Sequence, residues 1–165
     1  GIDVDHELLE IANKRSNRNI TFTKANFWYD AVKLPQKPFK VYTCFAVSGY
    51  FEDEEVFLKK FLDNLDNDDL LIIQGLFNLN GLTVKLEWKK DEEFQPGMNQ
   101  LNLEKCLRII NEYGFNVETE RVKVTDNIAF NSDFPHRAFS IDHPDFSLMN
   151  GANLLLSDYI LRIQK

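Results

Sequence analysis

The chain has 165 residues, 44% of them apolar, which is enough for one globular domain with its own core and no disulfide or metal staple. With 26 acidic against 19 basic residues it carries a net charge of −7, which repels phosphate backbones and excludes bulk nucleic-acid binding. No apolar run approaches the roughly 20 residues that span a bilayer and no leader pattern is read, so the expected location is the cytoplasm, away from membranes.

The opening GIDVDHELLEIANKRS reads as a strand end, an N-cap at Asp5 and a helix in which Leu8, Ile11 and Ala12 recur at helical spacing. NITFTKANFWYD alternates Ile20 and Phe22 before reaching Ala25 and Asn26, the pattern of a short strand with aromatic residues just past its end. DAVKLPQKPFK, with two of the five prolines, is a surface connection. VYTCFAV follows with little alternation, as expected of a strand covered on both faces. FEDEEVFLKKFLDNL is a helix capped by Asp53, with Val56, Phe57, Lys60, Phe61 and Leu65 near one stripe. DNDD then turns the chain into LLIIQGLF, a second strand expected to be covered on both faces. The order so far, β-α-β-loop-β-α-β, predicts a parallel sheet with helical crossovers.

From Asn78 to Gln100 the chain is polar, with Gly81, Trp88, Pro96 and Gly97, and reads as an insertion that covers a substrate. NLEKCLRIINEYGF is a third helix, with Leu103, Cys106, Leu107, Ile110 and Tyr113 facing inward and Gly114 at a left-handed stop. NVETERVKVT has the charged alternate positions of an edge strand. A second covering segment, from Asp126 to about Ala152, carries FPHR and DHPDF. The chain closes on NLLLSDYILRIQK, a long final strand that must run antiparallel to its predecessor because no helix joins them. Cys44 and Cys106 read as buried thiols of a reducing compartment. His6, His136 and His143 share no ligand spacing with each other or with the cysteines, so no metal is expected. The absence of GxSxG, P-loop and HExxH patterns removes the commonest hydrolytic and nucleotide-hydrolysing chemistries.

This ordered set of elements resembles the class I S-adenosylmethionine-dependent methyltransferases over nearly the whole chain. The resemblance implies an α/β fold: a Rossmann-like, doubly wound, mostly parallel sheet with an antiparallel C-terminal strand pair. GIDVDHELLEIA looks like the family's second strand and following helix, which makes Asp3 the acid that accepts hydrogen bonds from the cofactor's ribose hydroxyls. FTKANFWYDAVKLP is similar to the third strand and the adenine loop; Asn26 stands where an Asp is usual, and its carbonyl can accept from the adenine amino group without charge. Phe27 would lie against the adenine ring. FKVYTCFAVSGYF looks like the fourth strand and the loop beneath the reactive methyl group, and LDNLDNDDLLIIQGLF resembles the entry to strand five. The family's first strand and its glycine-rich turn would precede Gly1. The expectation is one methyltransferase-like domain over residues 1–165 lacking its N-terminal part, with an upstream segment or a partner chain supplying that strand.

Tyr50 and Phe51 fall at the end of the fourth strand, where open α/β sheets bind ligands; Tyr50 is a catalytic candidate and Phe51 a substrate contact. Trp88 would close over a substrate. In FPHR, His136 could take a proton from the acceptor and Arg137 could hold a carboxylate or phosphate. The expected activity is methyl transfer from S-adenosylmethionine to a small molecule or other acceptor. Two other readings stay open: a non-catalytic methyltransferase-like binding or scaffolding subunit, and a dinucleotide-dependent Rossmann enzyme, against which the antiparallel last strand argues.

Overall fold

A computed structural model describes residues 1–16, 20–32, 37–90, 93–96, 98–123, 127–130, 138–142, 148–150 and 154–165. The chain divides into two compact units, Gly1–Lys37 and Pro38–Lys165. In the first, β1 (Ile2–Asp3) leads into α1 (His6–Arg15) and then β2 (Thr23–Lys24), which pairs parallel with β1. Asp5 caps α1 as expected: its Oδ1 accepts from the Glu7 and Leu8 amides at 2.8 and 3.2 Å. The stripe differs from the expected one, because Leu9 is the buried residue of α1 while Leu8 and Ile11 are exposed.

The second unit holds β3 (Val41–Phe45), α2 (Glu54–Leu62), β4 (Leu70–Asn78), β5 (Glu87–Lys90), β6 (Glu93–Pro96), β7 (Leu101–Asn102), α3 (Leu103–Glu112), β8 (Asn116–Arg121), β9 (Phe139–Ser140), β10 (Leu148–Met149), β11 (Leu155–Leu156) and β12 (Asp158–Gln164). Its main sheet has the order β3-β4-β12-β8, with β7 paired to the end of β4. β3 and β7 run parallel to β4, whereas β12 runs antiparallel to both β4 and β8. The sheet is therefore mixed rather than mostly parallel. The cause is the position of the last strand, which enters between β4 and β8 and makes both of the long ladders antiparallel.

β8 is parallel to β4, since both oppose β12. The steps from β3 to β4 and from β4 to β8 carry the chain in the same lateral direction, so right-handed crossovers set α2 and α3 on one face of the sheet. That face is dry: Leu71, Ile73 and Phe77 of β4, Leu161 and Ile163 of β12, Phe57 and Leu58 of α2, and Cys106 and Ile110 of α3 have no exposed surface. Tyr42 on the same face donates its hydroxyl to the Asn64 carbonyl just past α2. The opposite face corrects the expectation of doubly covered strands. Val41, Thr43 and Phe45 of β3 are exposed, and Leu70, Ile72 and Gln74 of β4 are half-buried. The helix stripes shift as well. In α2 the buried set is Glu54, Phe57, Leu58, Phe61 and Leu62, with Val56 outward; in α3 it is Cys106, Ile109 and Ile110.

Local signals fix the joints. Asp53 caps α2 through the Glu55 and Val56 amides at 2.8 and 2.9 Å. Gly114 adopts φ 80°, and the Phe115 amide returns to the Ile110 carbonyl, the left-handed stop the sequence predicts. At the start of β4, buried Asp69 accepts from the Lys40 and Asp66 amides at 2.8 and 3.0 Å and lies 3.2 Å from the Lys40 ammonium, which pins the β3–β4 register. Within residues 78–100 the structure builds an antiparallel hairpin, β5–β6. The final run is broken at Ser157 into β11, which joins β10 and β9 in a small antiparallel sheet, and β12. Most of the segment 126–152 lies outside the described residues.

Candidate functional site

The predicted site residues fall into two groups. Asp3, Asn26 and Phe27 belong to the first unit, where they share the carboxyl end of the β1–β2 pair. Asp3 is half-buried, and its Oδ1 accepts from the Asp5 amide at 2.9 Å, a local turn that holds the carboxylate at the strand end. Its Oδ2 accepts no hydrogen bond among the described residues. The helix cap is supplied by Asp5, so Asp3 is not needed for that task.

Asn26 follows β2 and organises a turn. Its Oδ1 accepts from the Trp28 amide at 3.1 Å, its own amide donates to Asp30 Oδ2 at 2.7 Å, and its backbone carbonyl accepts from the Asp30 amide at 2.8 Å. The second lone pair of that side-chain oxygen remains for an incoming donor. Phe27 is buried and meets Trp28 edge to face, with ring centroids 5.4 Å apart. It packs as a core residue and presents little ring surface.

The second unit places Tyr50, 76% exposed, in a single 3-10 turn, Ser48–Tyr50, just beyond the carboxyl end of β3. Phe51 turns inward against Phe57, ring centroids 5.2 Å apart. Trp88 is half-buried on β5. His136 and Arg137 lie outside the described residues.

Sequence reasoning missed the residues that tie this region together. Ala46, the first residue past β3, has φ 57°, a left-handed conformation that costs a non-glycine residue on the order of 1 kcal/mol or more and is tolerated where the surroundings enforce it. Asn99 is buried and bonds two segments: its side-chain amide donates to the Phe51 carbonyl at 3.0 Å and its backbone amide to the Gly49 carbonyl at 2.9 Å, both in one turn, while its Oδ1 accepts from the Leu86 amide at 2.8 Å. The turn bearing Tyr50 and the strand leading to Trp88 are thereby held to one residue. Glu54, fully buried at the start of α2, accepts from Thr83 Oγ1 and, at 2.8 Å, from the Asn102 amide, while Lys105 Nζ sits 2.7 Å from its other oxygen. Burial alone would raise its pKa; the bonds from Lys105, Thr83 and Asn102 outweigh that and hold the carboxyl below its ordinary value.

Nucleophilic thiol chemistry is absent from this region. Burial pushes the Cys44 thiol up to about 12 and the Cys106 thiol higher still, so neither forms a thiolate near neutral pH. Among the described residues, no group of three or more His, Cys, Asp and Glu side chains could hold a metal ion, and no helix is long and apolar enough to cross a membrane.

No protein-family model and no curated protein sequence matches the chain. Solved structures do. A proposed S-adenosylmethionine-dependent methyltransferase from Listeria monocytogenes superposes with a TM-score of 0.62 at 10% identity, over 100% of this chain and 79% of that one. An S-adenosylmethionine-dependent methyltransferase from Clostridium acetobutylicum gives 0.50 at 11% identity, over 99% of this chain and 74% of the other. Likeness at this level of identity establishes a shared fold.

Proposed function

We propose that this chain, which shares its fold with class I S-adenosylmethionine-dependent methyltransferases, transfers a methyl group from that cofactor to a small-molecule acceptor. The observation that carries the reading is Asp3: a half-buried carboxylate at the carboxyl end of a parallel strand pair, fixed by a local turn, with one oxygen unengaged among the described residues. That is the arrangement a ribose diol requires, because a carboxylate can accept from both hydroxyls. Asn26 fits an adenine edge through its remaining lone pair, whereas buried Phe27 is a support for that loop more than a wall of the site.

When bound, the cofactor supplies an electrophilic methyl group on a sulfonium. The protein's own work is to orient and to exclude water, and no strong acid or base is demanded. Within the second unit Tyr50 and Trp88 are the candidate acceptor contacts, on two segments that Asn99 ties together. Among the described residues β3 pairs with β4 alone, and its five residues include no charge or proline of the kind that protects an edge. The reading includes a further strand along it, from a neighbouring segment or a partner chain.

Calorimetric titration with S-adenosylmethionine and S-adenosylhomocysteine tests the proposal. Saturable binding that Asp3→Ala weakens by about 10- to 100-fold is expected, the size of a charge-assisted hydrogen bond. Failure of both ligands to bind a chain with the β3 edge paired would overturn it.

A further inference from the structure

The sheet face away from α2 and α3 includes Val41, Thr43 and Phe45 on β3, Leu70, Ile72, Gln74 and Leu76 on β4, and Asp158 and Ile160 on β12; Leu76, across from Asp158, is covered by Leu148 and Leu156, and the Phe45–Gln74 end is the more open one. This face is largely apolar, and it surrounds one polar pair. Gln74 Nε2 lies 2.6 Å from each Asp158 carboxylate oxygen, and the only other donor to that carboxylate among the described residues is the Tyr159 amide. No cation is paired with Asp158 among the described residues. On the same face Arg162 and Glu120 pair at 2.6 Å, and Glu118 stands opposite Arg162 in the β8–β12 register. Gln74 turns its amide nitrogen to the carboxylate, and its Oε1 accepts no hydrogen bond among the described residues. Directly across from Gln74 in the β3–β4 register stands Phe45, 58% exposed.

A cross-strand staple alone would not look like this. Among the described residues it would leave a half-buried negative charge without a counter-ion, an amide oxygen with nothing to accept, and a large ring exposed beside both. Each of those is a cost. One ligand chemistry removes all three: an ammonium group has several donors, enough for the carboxylate and the amide oxygen together, and its apolar body covers the ring. The chain's net charge of −7 also favours the approach of a cation.

We propose that the Gln74–Asp158 pair, flanked by Phe45, is a binding subsite for a protonated amine with an apolar body. Burial drives the Asp158 carboxyl above its ordinary range, as expected of a carboxylate that lacks its counter-ion. That the bound amine is also the methyl acceptor is a further step, and that step rests on the reading of the previous subsection; the binding itself does not.

The test is a nuclear magnetic resonance titration of the full chain at neutral pH with phenethylammonium, and separately with 3-phenylpropionate as a probe of similar shape and opposite charge. Phenethylammonium should shift the Gln74 side-chain amide and the Ile160 methyl resonances, and 3-phenylpropionate should not. Asp158→Asn should weaken the amine by tenfold or more, and Gln74→Leu should weaken it with the carboxylate retained. Equal responses to the two probes, perturbations centred elsewhere, or unchanged affinity in Asp158→Asn would each overturn the assignment. Cofactor titration on the same sample is read apart from this: loss of cofactor binding with amine binding intact removes methyl transfer and leaves the subsite standing.

Discussion

The side-chain amide of Asn99 donates to the main-chain carbonyl of Phe51 at 3.0 Å, across 48 positions of sequence, while the oxygen of the same side chain accepts from the Leu86 amide. Removing it in Asn99→Ala strands one donor and one acceptor in part-buried surroundings, a cost of about 1–2 kcal/mol. Thermal unfolding should show that loss. Hydrogen exchange should show faster exchange at the Leu86 amide, with the helices unaffected.

Ser48 and Gly75 make a tighter contact. A side-chain carbon added at Gly75 would land on Ser48 Oγ, in a spot where Ser48 is buried and Phe77 stands behind. Gly75→Ala is expected to cost about 1–3 kcal/mol, the range for overpacking a closed core, and adding Ser48→Gly should recover most of it. The Ser48 hydroxyl itself has no hydrogen-bond partner among the described residues. Ser48→Ala alone should therefore leave the unfolding temperature unchanged or slightly raised, since no bond is lost.

How far the sequence could be read differs from element to element, and the reasons are physical. Asp5, Asp53 and Gly114 carry their instruction within three or four residues, so caps and stops emerge where expected. The place of β12 between β4 and β8 depends on its pairing with β4 across more than 80 positions, and no local pattern encodes it. Val41 and Phe45 look buried in a linear reading because they flank Cys44 in an apolar run, yet alternation puts them on the open face. Asp3 stands out as a candidate because a strand, an acid and a helix cap follow each other directly, and the strand and the cap are where that reading puts them. Asn99, Gln74 and Asp158 do not, because each acquires its role from a partner far away in the chain.

Acid should unfold the second unit through Glu54 and Asp69. Burial raises each carboxyl, but the hydrogen bonds from Lys105, Thr83 and Asn102 to Glu54, and from the Asp66 and Lys40 amides to Asp69, more than reverse this and leave both below their ordinary values of 4.5 and 3.8. A carboxyl depressed in the folded state adds stability that is present above its unfolded pKa and lost as pH falls through the folded one. Asp158 has the opposite sign. Burial raises it despite Gln74, so its contribution becomes more favourable as pH drops from neutral through that raised value. Denaturant unfolding across pH 2–7 in Glu54→Gln and Asp69→Asn should show lower stability at neutral pH and a flatter acid limb. Asp158→Asn should be more stable than the parent at neutral pH and lose the gain on acidification.

Asp3 and Asp5 stand two residues apart and should separate cleanly by experiment. Asp5 carries the cap of α1 through two amides, so Asp5→Ala is expected to cost about 1 kcal/mol of stability. Its effect on cofactor affinity should be small. Among the described residues the Asp3 side chain makes only the local bond to the Asp5 amide and keeps an oxygen unengaged, so Asp3→Ala should scarcely move the unfolding midpoint. Under the proposed function it should instead weaken S-adenosylhomocysteine by about 10- to 100-fold in calorimetry, since one charged acceptor of the ribose is gone. Asp3→Asn discriminates further. It retains an acceptor for the Asp5 amide and loses the charge, so an intermediate affinity assigns the effect to the ribose bond, whereas equal losses of stability and affinity in both variants would assign Asp3 to the turn alone.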